Sequence, residues 1–519
     1  FDVLGWTIVW TLVASTLQIS IGIFLAVVVH QKGLRFKKFF RTILVLPWAV
    51  PGFVTILIFR GLFNDTFGAI NNSILPMFGL DPIPWLTSAP WTRIALLLIQ
   101  SWLGFPYIFI VTTGVLQSIP EDLYEAATID GATSIQKFKN ITLPLILYSI
   151  APIIITQYTF NFNNFNIIYL FNAGGPAVPS STAGGTDILV SWIYKLTMQS
   201  GQYALAAALT LLLSVFVIGI AIWQFKRTKS FKEVVLSKEK LSNRGRGKRA
   251  LAYILLIAVC VIIIYPLLWT IGASFNPGNS LVSTSIIPKN PTNEHYVKLF
   301  AGEGNLFYKQ WYLNSLKISV FTMLLSLISV SFTAYAFSRF RFKGRKNGLT
   351  LFMLLQMIPQ FSALTAIFVL GQMLGLINSH WLLILIYVGG QIPMNSYLLK
   401  GYMDTIPMDL DESARIDGAS RTRIFWQIII PLSRPMLAVV AMNGFTGPLG
   451  DFALSSVILR NPESYTLPIG LYKLVSDKMG ASYTTFAAGA ILISIPIVIV
   501  FLSLQKHFVS SLTAGGTKG

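Results

Sequence analysis

The chain has 519 residues, of which 54% are apolar and only 11% charged. A soluble globular chain carries about 25% charged residues, so the composition excludes a soluble enzyme, and the lack of low-complexity sequence excludes a disordered chain. The net charge of +19, from 39 Lys and Arg against 20 Asp and Glu, fits cytoplasmic loops obeying the positive-inside rule better than a nucleic-acid surface.

A spanning helix needs roughly 20 mostly apolar residues, and eleven segments are expected to span. In chain order they are 4–29, 43–63, 93–116, 143–168 and 203–225, then 251–272, 313–337, 349–374, 381–400, 432–456 and 484–505. Prolines at Pro47, Pro51, Pro106, Pro152, Pro359 and Pro393 predict kinks. Cys260 stands alone inside an apolar run, and the histidines are scattered at 30, 295, 380 and 507. No disulfide, thiolate metal site or histidine cluster is therefore expected within the chain.

Basic residues concentrate in 30–42, 226–249 and 339–346, and an even number of expected spans separates them. All three are expected on the cytoplasmic side of the cell membrane, with residue 1 outside and the C-terminal tail inside. Loops 64–92, 169–202, 273–312 and 457–483 then face outward; their Pro, Gly, Asn and Trp suit surface for a partner. Isolated charges there, such as Lys195 and Arg460, are expected to be solvated. Residue 1 is Phe rather than Met, so the chain is expected to be processed or truncated.

One apolar span carries Asn161, Asn163, Asn164 and Asn166. On a continuous helix, Asn161 and Asn164 are i,i+3 and share a face with Gln157 and Phe160. Amides are costly in hydrocarbon and must meet protein or a cavity. Two readings follow from the residues: hydrogen bonding between helices, or an uncharged polar cavity with aromatic faces, suited to a neutral sugar.

Two loops repeat. Residues 119–131 read IPEDLYEAATIDG and 406–418 read IPMDLDESARIDG; ITLP follows at 141–144 and IIIP at 428–431. Every match is offset by 287 residues, including Pro106 with Pro393 and Gly114 with Gly401. That constant offset is a domain-scale duplication, with two membrane halves in parallel orientation and the basic stretch as linker. Each loop predicts a short helix, a glycine turn and a second helix: Pro120 and Pro407 fit N1, and Gly131 and Gly418 fit the stop. Repetition of the same helix-turn element favours a docking element over a merely solvated loop.

The stretch from Glu125 to Pro144 resembles the EAA loop of permease subunits of binding-protein-dependent ABC importers. The second copy departs at Ser413, where the first Ala is usual, and at Ile430, where Leu is usual. The resemblance extends over essentially the whole chain: residues 1–229 resemble the C-terminal part of MalF-type and 251–519 the whole of MalG-type permease subunits of the maltose/maltodextrin class, joined by a linker at 230–250. Its most specific stretches are FNFNNF at 160–165, NAGGP at 172–176, WLGFPY at 102–107 and the tail LTAGGTKG at 512–519. The two subunits are usually separate chains; no Met lies between Met198 and Met323, so a fusion is expected, without the helices that precede this part of MalF-type subunits.

The resemblance implies an all-α polytopic membrane protein of the type I ABC importer permease fold, five spans in the first half and six in the second. It implies a mid-membrane maltose or maltodextrin site at Trp48, Gln100, Leu103, Gly104, Tyr107, Gln157, Phe160, Asn161 and Asn164. Trp48 stands where a Tyr is usual, Gln100 where an Asn is usual and Gln157 where a Ser is usual, which reshapes the pocket. Coupling to an ABC ATPase homodimer would fall to Glu125, Ala126, Ala127, Asp130 and Gly131, and to Glu412, Ser413, Ala414, Asp417 and Gly418. The flexible tail, Thr513, Ala514, Gly515 and Gly516, would reach between the two ATPase subunits. An extracellular sugar-binding protein would deliver the substrate.

No Gly-x-x-x-x-Gly-Lys-Ser/Thr occurs, so the chain has no phosphate cradle of that kind. The expectation is a transport component rather than an enzyme, with no cofactor of its own and ATP and Mg in the partner ATPase. An ion-coupled carrier would need ionisable groups inside the membrane, and Asp451 is the one acid in an expected span. A membrane enzyme would need a nucleophile with a base or a metal cluster, and none is visible.

Overall fold

The structure, a computed structural model, describes residues 2–31, 33–119, 121–179, 181–227, 246–278, 286–302, 306–345, 348, 351–352, 363–476 and 482–514. The helices used below are α1 (Asp2–His30), α2 (Lys37–Val45), α3 (Gly52–Leu62), α4 (Ala89–Ser118), α5 (Glu121–Ile129), α6 (Leu143–Phe162), α7 (Phe165–Asn172) and α8 (Leu189–Met198). After α9 (Tyr203–Arg227) come α10 (Arg246–Ser274), α11 (Tyr308–Arg339), α12 (Leu364–Met373), α13 (His380–Met403) and α14 (Met408–Ile416). The chain ends with α15 (Arg434–Gly450), α16 (Ala453–Ile458), α17 (Leu467–Ser476) and α18 (Tyr483–Ala514). Among the described residues there is no sheet, only an isolated bridge between Ala177 and Gly184.

Among the described residues, six helices are long and apolar enough to cross a membrane, and up to nine spans result if each bent pair counts as one. The expected eleven are therefore not reached among the described residues. Three expected spans are bent: 43–63 by 88° between α2 and α3, 143–168 by 61° at Pro152, and 432–456 by 82° at Ser433. Pro47 and Pro51 explain the first, since proline removes a backbone donor and crowds the preceding turn. The central part of expected span 349–374, residues 353–362, and most of the linker 230–250, residues 230–245, lie outside the described residues.

In the first half α1 lies along α4 and α6; in the second α11 lies along α13 and α15. Lipid tails give helices no hydrophobic reason to associate, so close backbone approach supplies the contact. A Cβ on Gly22 would stand 2.6 Å from Ile108 Cβ, and one on Gly444 would stand 2.9 Å from Met323 Cα. The halves interlock, because Ala252, Leu256, Cys260 and Ile263 of α10 are buried in one cluster with Leu44, Ile146 and Ile150 of the first half. They meet again where Tyr169 stacks on Phe452, ring centroids 5.9 Å apart.

The duplication is structural as well as sequential. Each half has a π-helical turn just before its second-loop proline, at Phe138–Thr142 and Phe425–Ile429. Pro144 and Pro431 offer no N–H, and a widened turn accommodates them.

Candidate functional site

Helix α6 ends inside the asparagine run. The Asn163 side chain donates to the Thr159 carbonyl, competing with the backbone ladder. Asn164 has φ −80° and ψ 78° and becomes the N-cap of α7. Asn161 and Asn164 therefore do not share one helix face, as a continuous helix would have it. They are brought together instead through Gln100 of α4.

The amides close on one another. Asn161 Oδ1 accepts from Gln100 Nε2 at 2.9 Å and from Gln18 Nε2 at 3.3 Å. Asn161 Nδ2 donates to Ser15 Oγ at 2.9 Å, and Asn164 Nδ2 to Gln100 Oε1 at 3.0 Å. Gln157 Nε2 donates to Gln18 Oε1 at 2.9 Å. The Trp10 indole N–H reaches the Asn161 carbonyl at 2.9 Å. Asn161 is 0% exposed and Gln100 2%, so these two form the frame of the cluster rather than its open face. A Cβ on Gly104 would fall inside the Gln18 carboxamide, so bare backbone there is what admits Gln18.

Two aromatic residues that the resemblance places in the site are exposed. Phe160 is 57% exposed and Trp48 45%. The Trp48 and Tyr107 rings sit 5.9 Å apart at 43°. Leu103, Gly104, Tyr107 and Gln157 are half-buried. Ser15 and Gln18 of α1 had not been singled out from the sequence. The signal was available: a glutamine inside a long apolar helix must find a polar partner.

The second half repeats the frame with other residues. Tyr387 and Asp451 stand 287 positions after Gln100 and Asn164, and the Tyr387 hydroxyl donates to Asp451 Oδ2 at 2.7 Å. Asp451 precedes α16 and accepts from the Ser455 N–H at 3.0 Å, as a helix N-terminus favours. Below it, Asn395 Nδ2 donates to Gln391 Oε1 at 2.6 Å, Asn443 Nδ2 to Asn395 Oδ1 at 3.1 Å, and Gln391 Nε2 to the Asn443 carbonyl at 3.1 Å.

The two EAA elements end identically. The Gly131 N–H donates to the Thr128 carbonyl and the Ala132 N–H to the Ala127 carbonyl; Gly418 does so to Arg415 and Ala419 to Ala414. Gly131 and Gly418 have φ of +76° and +80°, the left-handed conformation that this cap requires. So the second alanine of each motif supplies the capped carbonyl. Pro407 sits one position before the expected N1, as the N-cap of α14, and Pro120 lies outside the described residues. Glu125 is half-buried, while Ala126, Asp130, Glu412, Ser413 and Asp417 are exposed.

The elements are pinned differently. Tyr124 Oη shares a 2.8 Å hydrogen bond with Thr142 Oγ1. At the matching position Asp411 forms a buried ion pair with Arg339, Nε to Oδ2 at 2.8 Å.

Helix α18 runs to Ala514, so Thr513 and Ala514 close a helix instead of opening a flexible tail; Gly515 and Gly516 lie outside the described residues. Lys195 is not solvated: it is buried against Asp187, which also accepts from the Gly184 N–H and the Ser191 hydroxyl. Burial pushes the Asp187 carboxyl above its usual range, and Lys195 opposes the shift. Arg460 lies over the Phe368 ring at 5.1 Å.

The family model described as "Binding-protein-dependent transport system inner membrane component" matches residues 18–230 and 327–514. The chain is 76% identical over 268 residues to the galactooligosaccharides transport system permease protein GanQ of Bacillus subtilis (strain 168), covering 52% of this chain and 95% of that one. It is 76% identical over 233 residues to GanP of the same organism, covering 45% and 56%. Identity to the maltose/maltodextrin transport system permease protein MalF of Escherichia coli (strain K12) is 42% over 229 residues, covering 43% and 44%. The chain thus spans about half the length of GanP and of MalF. A solved bacterial ABC transporter involved in the import of the acidic polysaccharide alginate matches with a TM-score of 0.44 and 24% identity, covering 52% of this chain and all of that one.

Proposed function

As this chain belongs to the family of binding-protein-dependent transport system inner membrane components, we propose that it is the permease of an ATP-driven importer for neutral oligosaccharides. The galactooligosaccharide class comes before the maltodextrin class expected from the sequence, on the 76% identity to GanQ and GanP. Partners are an ABC ATPase homodimer, which binds ATP and Mg, and an extracellular sugar-binding protein. Residues 1–229 and 251–519 act as two permease domains, with residue 1 outside and the EAA elements in the cytoplasm.

The observation that carries this reading is a cluster of uncharged amides at a helix break inside a span, next in sequence to the exposed Phe160 ring. Rings cover the apolar face of a sugar, and amides meet its hydroxyls. Closure of the ATPase dimer moves both EAA elements, and the halves rock about the central site, in alternating access.

The test is reconstitution of the chain in liposomes with its ATPase and binding protein. ATP hydrolysis is then measured with galactotriose and with maltotriose. Stimulation by galactotriose above maltotriose is expected. The reverse order moves the substrate to maltodextrins, and no stimulation by either, in an assembled complex, overturns the importer reading. Phe160→Ala is expected to lower uptake about tenfold, the loss of one aromatic stacking partner, with unchanged sugar-free hydrolysis. Unchanged uptake would move the sugar elsewhere.

Docking is expected to rest on apolar anchors beside the glycine turns. Ile129 and Ile416 occupy matching positions and are each 87% exposed. Their joint change to Asp is expected to cost the complex about 2 kcal/mol or more, as hot-spot anchors do. Pull-down of the ATPase on the double variant checks this; undiminished recovery removes the EAA elements from the interface.

A further inference from the structure

The two halves carry corresponding positions beside their amide clusters. Gly104 and Phe160 in the first half correspond, at the constant offset of 287, to Gln391 and Gly447 in the second. The correspondence is spatial, because the flanking bonds Gln100–Asn164 and Tyr387–Asp451 repeat with the same offset. The glycine has changed helices, and an amide stands where the first half has glycine. In the first half an exposed ring on α6 accompanies a bare glycine on α4. In the second, an amide on α13 lies over a bare glycine on α15, with Gln391 Nε2 3.2 Å from where a Gly447 Cβ would stand.

The second cluster is not sealed. Gln391 and Asn443 are half-buried and Gly447 is exposed, while Asn395 behind them is buried. Half-exposed amides on spanning helices are costly against lipid, so a polar space within the protein is what their open side calls for. Asn443 donates to Asn395 and Asn395 to Gln391, whose side chain donates in turn to the Asn443 main-chain carbonyl, and these bonds fix their orientation. Among the described residues, one N–H each of Gln391 and Asn443 and the Asn443 Oδ1 acceptor take no bond, so Asn443 offers a donor–acceptor pair and Gln391 a further donor. A sugar hydroxyl, or two adjacent ones, matches that pair. Nothing in the triad is charged, which disfavours an ion as its ligand.

We propose that Gln391, held by Asn395 and Asn443, forms a second sugar-contacting subsite, in the second half, that binds hydroxyl groups of a neutral glycosyl unit whose apolar face meets the Phe160 ring. The subsite rests on the function proposed above. It divides the labour of recognition between the halves, stacking in one and hydrogen bonding in the other.

The test uses the complete complex in liposomes, with the wild-type chain, Gln391→Leu, Gln391→Asn and Phe160→Ala. Substrates are galactotriose and a panel of its monodeoxy analogues at saturating binding protein. The wild type is expected to transport at least one deoxy analogue about tenfold more slowly than galactotriose, the effect of leaving a polar site group unpaired. Gln391→Leu is expected to transport galactotriose about tenfold more slowly and to lose that discrimination, while assembly and sugar-free ATP hydrolysis stay at wild-type level. Gln391→Asn is expected to recover part of both. The subsite is overturned if Gln391→Leu discriminates among the analogues as the wild type does. It is overturned equally if assembly falls in step with uptake, which marks a structural role. Loss of uptake in Phe160→Ala with no change in Gln391→Leu sinks this inference alone. Wild-type uptake of neither galactotriose nor maltotriose sinks the function on which it rests.

Discussion

Asn161→Leu is expected to abolish sugar uptake and to destabilise the chain, in contrast to the exposed Phe160. Leucine keeps the volume but takes away an acceptor used by both Gln18 and Gln100 and a donor to Ser15. Orphaning a buried polar partner in water-soluble proteins costs about 1–3 kcal/mol. Between membrane helices the measured average is nearer 0.6 kcal/mol per bond, because unfolded helices in the bilayer find other partners. Asn161 is fully buried and the three partners belong to two other helices, so a total of about 2–3 kcal/mol is expected between those limits. Thermal unfolding of the purified chain checks the stability, and uptake in liposomes checks the function. A variant with wild-type unfolding temperature but no uptake would mean that Asn161 itself touches the sugar. A variant with normal uptake would mean that the amide frame is dispensable.

The duplication was legible because it is written in local chemistry. A glycine that must adopt positive φ, an alanine whose carbonyl it caps, and a proline that widens the next turn recur at fixed spacing, and each can be read without knowing the fold. The break after Phe162 was not legible. Asparagine at i and i+3 fits a helix face as well as a helix end, and only the Asn163 side chain bonding to the Thr159 carbonyl decides between them. Gln18 escaped notice for another reason: its partners lie 139 and 143 residues away, and no local pattern joins them. Lys195 was misread because a lysine between spans is ordinarily solvated, whereas this one turns inward to a carboxylate eight residues earlier. The second-half triad was hidden in the same way as Gln18, since Asn443 meets Gln391 and Asn395 only when α15 lies against α13.

Arg339→Ala is expected to be the most damaging single change near the EAA elements, and its effect should fall on one element only. Arg339 ends α11 and reaches three targets: the Asp411 carboxylate, the Ile406 carbonyl at 3.1 Å and Ser338 Oγ at 3.2 Å. Its side chain is 5% exposed and that of Asp411 6%. A buried pair contributes little beyond an apolar pair of the same shape, yet removing one partner strands the other and costs about 3–5 kcal/mol. At the matching position in the first half, among the described residues, the anchor is the hydroxyl of Tyr124 on Thr142, so Tyr124→Phe is expected to cost about 1 kcal/mol. The asymmetry separates a coupling role from general stability. Arg339→Ala should lower sugar-stimulated ATP hydrolysis far more than Tyr124→Phe, and Arg339→Met with Asp411→Leu should return stability to within about 1 kcal/mol of wild type, because no charge is then stranded. If that double variant regains stability and stimulation together, the pair serves only to hold α14 in place. If stability returns without stimulation, the charges themselves carry the signal between the permease and its ATPase. Equal damage from Tyr124→Phe and Arg339→Ala would contradict the unequal anchoring of the two elements.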